Sequence, residues 1–274
     1  MSHRVPLTAI LALIGHALAL ATPSGAEADP VRIPAGAFEM GRDGGAADEA
    51  PAHRVSVREF WIDRHKVTNA EFAAFLDARG TIAADGERRF DDDDADARIH
   101  RVAGRWVADP GYEGHPAVEV SWFGARDYCA WQGRRLPTEA EWEKAVRGDD
   151  RRPYPWGWAP PTPERAIFGR PFNATAPTNG RPQGRSPYGV EDLLGNLREW
   201  TATALRPYPY RDDDGRDRFA GEGRVVLRGA SHDDPADGLS VTRRHSYDRR
   251  GAAAGHHHVG FRCATAADPG GRSR

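Results

Sequence analysis

The residues best suited to chemistry lie in one polar loop, LRGASHDDPADGLSVTRR, at positions 227–244. The loop holds hydroxyl, imidazole, carboxylate and guanidinium groups, but no cysteine and no Ser, His and Asp in an order that indicates a nucleophile. Such groups suit the binding and orientation of a polar ligand, with the arginines as counter-charges. The candidate cleft residues are Ser231, His232, Asp234, Arg243 and Arg244.

A second group of possible ligands is the segment GHHHVG, with three consecutive histidines at 256–258. If the segment is extended, His256 and His258 share a face, because side chains alternate along a strand. These two imidazoles and one further ligand would form a facial triad of the non-haem iron type. Because no second motif fixes the remaining ligands, the favoured interpretation is that the histidines pack beside the disulfide and hydrogen-bond to the backbone. The third ligand of a triad would come from His232, His245, Asp233 or Asp234.

Three segments that would position these loops carry helix signals: a capping residue, an apolar stripe and a terminal glycine. VTNAEFAAFLDARG begins with Thr68 and Glu71 as a capping box, and PTEAEWEKAVRG repeats the pattern with Thr138 and Glu141. SWFGARDYCAWQG begins at Ser121. The rest of the chain alternates short strand candidates with long turns.

The composition indicates an ordered but loop-rich protein. Among 274 residues, 30 are glycine and 21 are proline, which is high for regular helical or sheet structure, and eight tryptophans argue against disorder. The 38 basic and 40 acidic residues leave a formal charge of -2, so no nucleic-acid or anionic-membrane partner is indicated. The acidic run from Asp91 to Asp94 is most simply a solvated loop tip.

The first 28 residues predict a cleavable secretory signal. His3 and Arg4 precede the apolar run LTAILALIGHALALA, which is too short to span a bilayer and is followed by small residues. A retained membrane anchor is the alternative, but His16 interrupts the run and Pro23 ends it. We therefore expect a secreted or periplasmic protein without membrane attachment after cleavage.

Six segments occur in an order that resembles one protein family. They are VRIPAGAFEMG, HRVSVREFWIDRHKVTNAEFAAFL, HPAVEVSWFGARDYCAWQGRRLPTEAEWEKAVRG, YGVEDLLGNLREWT, VVLRGAS and VGFRC. Together they resemble the formylglycine-generating enzyme family, also called the sulfatase-modifying factor family, from Val31 to Cys263. The resemblance implies one α+β domain at 31–266 with a complex, loop-rich fold like that of C-type lectins. A disordered tail would follow at 267–274.

The same resemblance implies an active-site loop without its metal ligands. The family's founding enzymes oxidise a sulfatase cysteine to formylglycine with oxygen and copper(I), which two cysteines hold after an Arg-Gly-Gly-Ser turn. Here Asp234 stands near the place of the first cysteine, and the second has no counterpart. Arg198 replaces a tryptophan common in the cysteine-bearing enzymes. Copper(I) prefers thiolates, so we expect this loop to shape a cleft without generating formylglycine.

Two structural features also follow from the resemblance. Cys129 and Cys263 correspond to a family disulfide, and an even cysteine count in an exported chain favours a bridge over reactive thiols. The segment EDLLGNLREW corresponds to a calcium site, with a turn capped by Glu199 as the metal-free alternative. The implied calcium ligands are Asp192, Gly195, Leu197 and Glu199.

Two classes of function remain open at this stage. One is an exported oxidative maturation enzyme for a peptide or peptide-derived substrate, similar to cysteine-less relatives, with iron or copper as its redox metal. The other is a non-catalytic module that binds a peptide or protein partner on the lectin-like scaffold. Bound redox metal in protein from its native compartment would favour the enzyme, and calcium alone would favour the module.

Overall fold

A computed structural model describes residues 29–220 and 222–266 of the chain, without the side chain of Arg249. The predicted secretory signal at 1–28 and the predicted tail at 267–274 lie outside the described residues. Within them, short strands and three helices of 9 to 11 residues alternate with long loops. The predicted α+β, loop-rich architecture is confirmed.

The three predicted helices are present, and their first turns are capped as the sequence predicts. The backbone N–H of Thr68 donates to the Glu71 carboxylate at 2.8 Å, and that of Thr138 donates to Glu141 at 2.9 Å. Ser121 accepts a hydrogen bond from the next turn. None of the helices in the described part of the chain has the length and apolar character needed to cross a membrane. The helices are α1 (Asn69–Arg79), α2 (Trp122–Trp131), α3 (Glu139–Arg147) and the short α4 (Arg249–Ala252).

The strands form four small sheets with the orders β1-β4-β11, β10-β7-β8-β9, β2-β3 and β5-β6. Within the second sheet β10 is parallel to β7, and the other pairs are antiparallel. The strands are β1 (Pro30–Ile33), β2 (Gly36–Met40), β3 (His53–Val57), β4 (Phe60–Asp63), β5 (Ile99–Val102), β6 (Arg105–Ala108), β7 (Arg198–Ala204), β8 (Arg224–Arg228), β9 (Arg244–Asp248), β10 (Val259–Gly260) and β11 (Ala264–Thr265).

Hydrophobic clusters cover both faces of the four-stranded sheet. One cluster joins Phe72 of α1 and Trp122 of α2 to Trp200 of β7. The other includes Trp142 of α3 and Ala230, which lies just after β8. Because both faces are covered by apolar packing, polar side chains on this sheet must be paired or lie near its edges.

The predicted disulfide between Cys129 and Cys263 is present and links α2 to the segment before β11. The two cysteines are 134 residues apart, and both are buried. Asp63 of β4 fixes the same segment, because its backbone N–H donates to Cys263 O at 2.9 Å and its carboxylate accepts from Cys263 N at 3.0 Å. The bridge therefore connects the helical layer to the strands that follow the histidine segment.

Candidate functional site

The candidate site, which we continue to call the cleft, is a cluster of side chains beside one face of the sheet β10-β7-β8-β9. It does not coincide with either cavity described for this structure, one beside Val241 and the other beside Trp131. The register places Trp200 opposite Leu227 and Leu227 opposite His245, so these side chains share a face. Tyr247 lies two residues further along β9 on that face. The histidine segment before β10 contacts it there, since His258 Nε2 lies 2.7 Å from the Tyr247 hydroxyl. Strand alternation thus gathers histidine and tyrosine side chains beside the loop that follows β8.

The opposite face of the same strands carries two buried arginines that bind α3. Arg228 pairs with Arg244 across β8 and β9. Arg244 Nε and Nη2 lie 2.7 and 3.0 Å from the two carboxylate oxygens of Glu139, and Arg228 Nη1 lies 3.0 Å from the same carboxylate. The prediction that Arg244 lines the ligand cleft is therefore wrong, because strand alternation points it away from His245. Arg243 is exposed and donates to Gly238 O at 3.2 Å.

The two departures from the family pattern that the sequence revealed are bonded to each other. Arg198 Nη2 lies 2.6 and 2.7 Å from the two carboxylate oxygens of Asp234. The second of these oxygens also accepts from the backbone N–H of Ser231 at 2.8 Å. Asp234, at the place of a copper cysteine, is therefore neutralised by the arginine that replaces the tryptophan. A carboxylate held in this way does not fit the thiolate role that copper(I) requires.

Ser231 supports the loop rather than facing a ligand. It is fully buried, and its hydroxyl donates to the carboxylate of Asp233 through a short hydrogen bond. The same hydroxyl lies 3.3 Å from Asp234 Oδ2. The structure thus uses Ser231 to shape the turn, so its predicted part in orienting a ligand would be indirect.

Two cleft histidines each have a buried nitrogen without a partner among the described residues. His232 Nδ1 lies 3.0 Å from Asn196 O, but its Nε2 has no hydrogen-bond partner. The Nε2 of His245 is likewise buried and unpartnered. Burial lowers the pKa of both imidazoles, with a smaller contribution from Arg198, and the pKa of His245 falls to about 4. Both rings are therefore neutral at pH 7 and offer unused polar atoms.

The triad considered for His256 and His258 does not form among the described residues. His256 Nε2 hydrogen-bonds to Gly251 O at 2.9 Å, and its ring stacks on Tyr247 with 4.1 Å between centroids. Nε2 of His258 is hydrogen-bonded to the Tyr247 hydroxyl. Within the described residues, neither histidine belongs to a group of three side chains that could bind one metal ion. The packed, hydrogen-bonded alternative describes these two residues.

Oxygens of three of the four residues predicted to bind calcium surround an ammonium group instead, and Leu197 is not among its partners in the described residues. Lys66 Nζ lies 3.2 Å from Asp192 Oδ2, 3.5 Å from Gly195 O and 3.4 Å from Glu199 Oε1. Lys66 also forms a short hydrogen bond to the backbone carbonyl of Asp192. Its side chain is fully buried, so the positive charge sits where the family pattern implies a metal. These residues do not fit a calcium ion while Lys66 holds this position.

A second cation completes this buried cluster. Arg262 Nε and Nη2 lie 2.7 and 2.8 Å from the two carboxylate oxygens of Glu199. Burial would raise the pKa of Glu199, but Arg262 and Lys66 together lower it. At Asp192 burial prevails over the attraction of Lys66, and the pKa is raised. The cluster is thus held by charges that the chain itself supplies.

Sequence reasoning missed Lys66, although one signal could have found it. The chain has only two lysines, Lys66 and Lys144, among 38 basic residues, and both are buried. An arginine-rich chain that keeps lysine at two places uses a compact ammonium where a guanidinium would not fit. The sequence does not reveal that Asp192 is the partner of Lys66, because the two residues are 126 positions apart.

Comparison with known proteins shows which sequences and structures this chain resembles. The sequence profile of the sulfatase-modifying factor enzyme 1-like domain (FGE-sulfatase) matches residues 17–267. The chain is 33% identical to inactive C-alpha-formylglycine-generating enzyme 2 of Bos taurus, over 96% of each protein. The structure of PvdO from Pseudomonas aeruginosa superposes with a TM-score of 0.67 and 27% identity, covering 86% of this chain and 93% of that one.

Other relatives share only part of their length with this chain. It is 37% identical to hercynine oxygenase of Mycolicibacterium smegmatis over 65% of this chain and 46% of that protein. It is 34% identical to the serine/threonine-protein kinase pkn1 of Chlamydia caviae over 85% of this chain, but it spans only 37% of the kinase. The activities of these longer proteins therefore do not transfer directly to this chain.

Proposed function

We propose, on the premise that this chain belongs to the sulfatase-modifying factor family, that it is an exported oxidative maturation enzyme. Its substrate would be a peptide or a peptide-derived molecule, and its product would not be formylglycine. The Arg198–Asp234 pair stands where that chemistry needs a thiolate. The residues of the cleft do not fit copper(I), so no step is assigned to copper.

The observation that carries this proposal is the pair of buried, unpartnered imidazole nitrogens of His232 and His245. Buried polar atoms nearly always have partners, so two free ones in a cleft indicate a place for a polar ligand. Neutral imidazoles can accept the proton that a substrate O–H or N–H loses as it is oxidised. The substrate would lose two electrons and two protons, and dioxygen, the oxidant that founding members of this family use, would take them up as hydrogen peroxide.

Two further facts support the proposal. A relative with 37% identity over 65% of this chain is named an oxygenase, so the family scaffold is compatible with oxygen chemistry. The disulfide between Cys129 and Cys263 is typical of proteins that fold in an oxidising compartment, which favours a secreted or periplasmic location. Both support an exported oxidase without naming its substrate.

A non-catalytic binding module is the second candidate function. Asp234 has its charge balanced by Arg198 and its loop fixed through Ser231, so this part of the loop is complete without a metal. A relative named as an inactive enzyme matches this chain over 96% of both lengths. A peptide or protein that hydrogen-bonds to His232 and His245 would satisfy the free nitrogens without any reaction.

The test compares exported peptides and peptide-derived metabolites, by mass spectrometry, from strains that carry the wild-type gene, no gene, or His232→Ala. A matched control is His100→Ala, because His100 is exposed and pairs with Asp109 away from the cleft. We expect a product that lacks two hydrogens, or has gained oxygen, only with wild type and the control. If His232→Ala gives the same product as wild type, the cleft assignment is wrong. If no product depends on the gene, the binding module is favoured.

A second experiment tests the loss of the family's founding reaction. Copper-loaded protein is incubated with a Cys-x-Pro-x-Arg peptide under oxygen, and the peptide mass is followed. We expect no thiol-to-aldehyde conversion above a copper-only control, because neither copper thiolate is present. Conversion well above that control would show that other residues hold the metal.

A further inference from the structure

Glu119 is a buried acid to which no described side chain brings a positive charge. It lies in the segment before α2 and is only 2% exposed. Leaving aside the side chain of Arg249, which the structure does not describe, no residue in 29–220 or 222–266 forms a hydrogen bond or an ion pair with the Glu119 side chain. Burying a lone carboxylate is costly, and native structures normally provide a partner for it.

Potential metal ligands meet at this carboxylate from two sides. Ligand atoms of Asp96 and His257 lie within 4.8 Å of one another and of Glu119. Ligand atoms of Asp91 and Asp94 form a second such group with Glu119. Side chains that bind one cation at 2.0–2.6 Å are separated by at most about 5 Å, so both groups have the spacing of a coordination shell.

The protein supplies little positive charge to this group. Arg88 Nη1 lies 3.0 Å from Asp91 Oδ1 on the outer side of the loop. In the described part of the chain, Asp94 and Asp96 form no ion pair. Their neighbours are neutral: Asn173 Nδ2 donates to Asp96 Oδ1 at 3.1 Å, and Asp96 N donates to Asp94 Oδ1 at 2.8 Å. Asp96 and Glu119 therefore lie together without an ion pair among the described side chains, whereas in the second group Asp91 pairs with Arg88.

We propose that Glu119 binds a divalent metal ion together with Asp96, His257 and the Asp91–Asp94 loop. Glu119 is the ligand common to both groups, which places it at the centre of the site. The carboxylate majority suits hard cations such as Ca2+ and Mn2+, and the imidazole of His257 adds affinity for a transition metal such as Mn2+. The sequence prediction of a solvated loop tip holds for Asp92, Asp93 and Asp94, which are exposed, but not for the half-buried Asp91.

The proposed metal site adjoins the candidate cleft but does not depend on the proposed function. The ring of His257 lies 4.7 Å from that of His258 and 6.2 Å from that of His232. Phe172 packs against its other side at 4.1 Å. A metal on His257 would therefore fix the histidine segment beside the cleft, whether the cleft binds or oxidises its ligand.

The experiment titrates EDTA-dialysed full-length protein with CaCl2 and with MnCl2, by calorimetry and by thermal unfolding. We expect one equivalent to bind and to raise the Tm by several degrees, and Glu119→Gln to weaken binding at least tenfold. Glu164→Gln is the matched control, because Glu164 is exposed and remote from the group. Asp192→Asn should bind as wild type does, because Asp192 belongs to the Lys66 cluster.

The remaining variants decide the metal class and protect the test from misfolding. If His257→Ala weakens Mn2+ binding more than Ca2+ binding, the site is a transition-metal site; unchanged binding of both ions would show that His257 is not a ligand and that only oxygen donors bind the ion. Asp96→Asn replaces Glu119→Gln should the latter not fold. Wild type without heat or Tm shift at millimolar metal would overturn the proposal. Metal binding that survives Glu119→Gln or Asp96→Asn but is lost in Asp192→Asn would also overturn it.

Discussion

The molecule contains two clusters of acidic side chains around a buried glutamate, and they differ in how many cations surround that glutamate. At the first, Asp192 and Glu199 surround the ammonium of Lys66, and Arg262 grips Glu199 from the other side. At the second, Glu119 meets only other ligating side chains. The pKa of Glu199 is lowered by its cations, whereas burial and then the neighbouring aspartates raise the pKa of Glu119 to about 8. The chain thus pairs the carboxylate of Glu199 with its own cations, whereas Glu119 receives no cation from the described residues.

This difference shows that the position of ligand oxygens and the identity of the cation they bind are separate questions. The family resemblance correctly located the oxygens around Asp192 and Glu199, but it could not report which cation they hold. A lysine from before α1 takes that place, so the oxygen arrangement alone is not evidence of a metal. A buried acid that has no cation from the chain itself is the stronger indication of a metal site, because a buried negative charge needs a positive charge to balance it.

The largest expected effect is that of Lys66→Met. Removing the ammonium leaves Asp192 and Glu199 buried with an incomplete charge balance, and breaking a buried pair in this way costs about 3–5 kcal/mol. The free energy of unfolding from urea titration at pH 7 measures it. The matched control is Lys144→Met, since Lys144 pairs with the exposed carboxylate of Asp149 and should lose less. Equal losses in the two variants would mean that the Lys66 cluster has no special role.

Calcium provides a sharper version of the same test. In the Glu119→Gln background, added calcium should not change the Tm of protein that retains Lys66, because the ammonium occupies the oxygens. Adding Lys66→Met to that background should make the Tm calcium-dependent, since the same oxygens become available. Calcium stabilisation with Lys66 in place would restore the original calcium prediction.

A smaller effect is expected from pH in metal-free protein. The folded carboxyl of Glu119, with a pKa of about 8, keeps a proton that the unfolded chain releases near its ordinary pKa of 4.5. Its contribution to stability is therefore fully present below about pH 4.5 and is lost as the pH rises through about 8, with a slope of at most about 1.4 kcal/mol per pH unit. Urea unfolding in EDTA between about pH 5 and 8 measures this slope. A wild-type slope equal to that of Glu119→Gln would contradict the prediction.

The smallest effect is expected at the salt bridge between Arg198 and Asp234. Both side chains are partly exposed, at 15% and 17%, so solvent screens their attraction. A double-mutant cycle with Arg198→Met and Asp234→Asn should give a coupling energy of about 1 kcal/mol. Additive single effects would show that the two residues sit together without stabilising each other.

Features written in a few consecutive residues were predictable. Thr68 with Glu71 and Thr138 with Glu141 identified two helix starts, because a capping box needs only four residues. The disulfide followed from the family resemblance and from there being only two cysteines.

Features that depend on distant residues were not predictable. The pairing of Lys66 with Asp192 crosses 126 residues, and Glu119 meets His257 through a fold that no local pattern encodes. Arg244 was assigned to the wrong face because the start and register of β9 cannot be read from VTRRHSY. Side chains alternate along any strand, but which of them face the cleft depends on how β9 pairs with β8.

The salt bridge between Arg198 and Asp234 has an evolutionary consequence. Changing Asp234 to cysteine would leave the guanidinium of Arg198 without its carboxylate, and changing Arg198 alone would leave the aspartate without its cation. Either single step passes through an unbalanced intermediate, and a second thiolate would still have to arise in the loop. Restoring a copper pair in this loop would therefore require a cysteine at position 234, a replacement for Arg198 and a second thiolate.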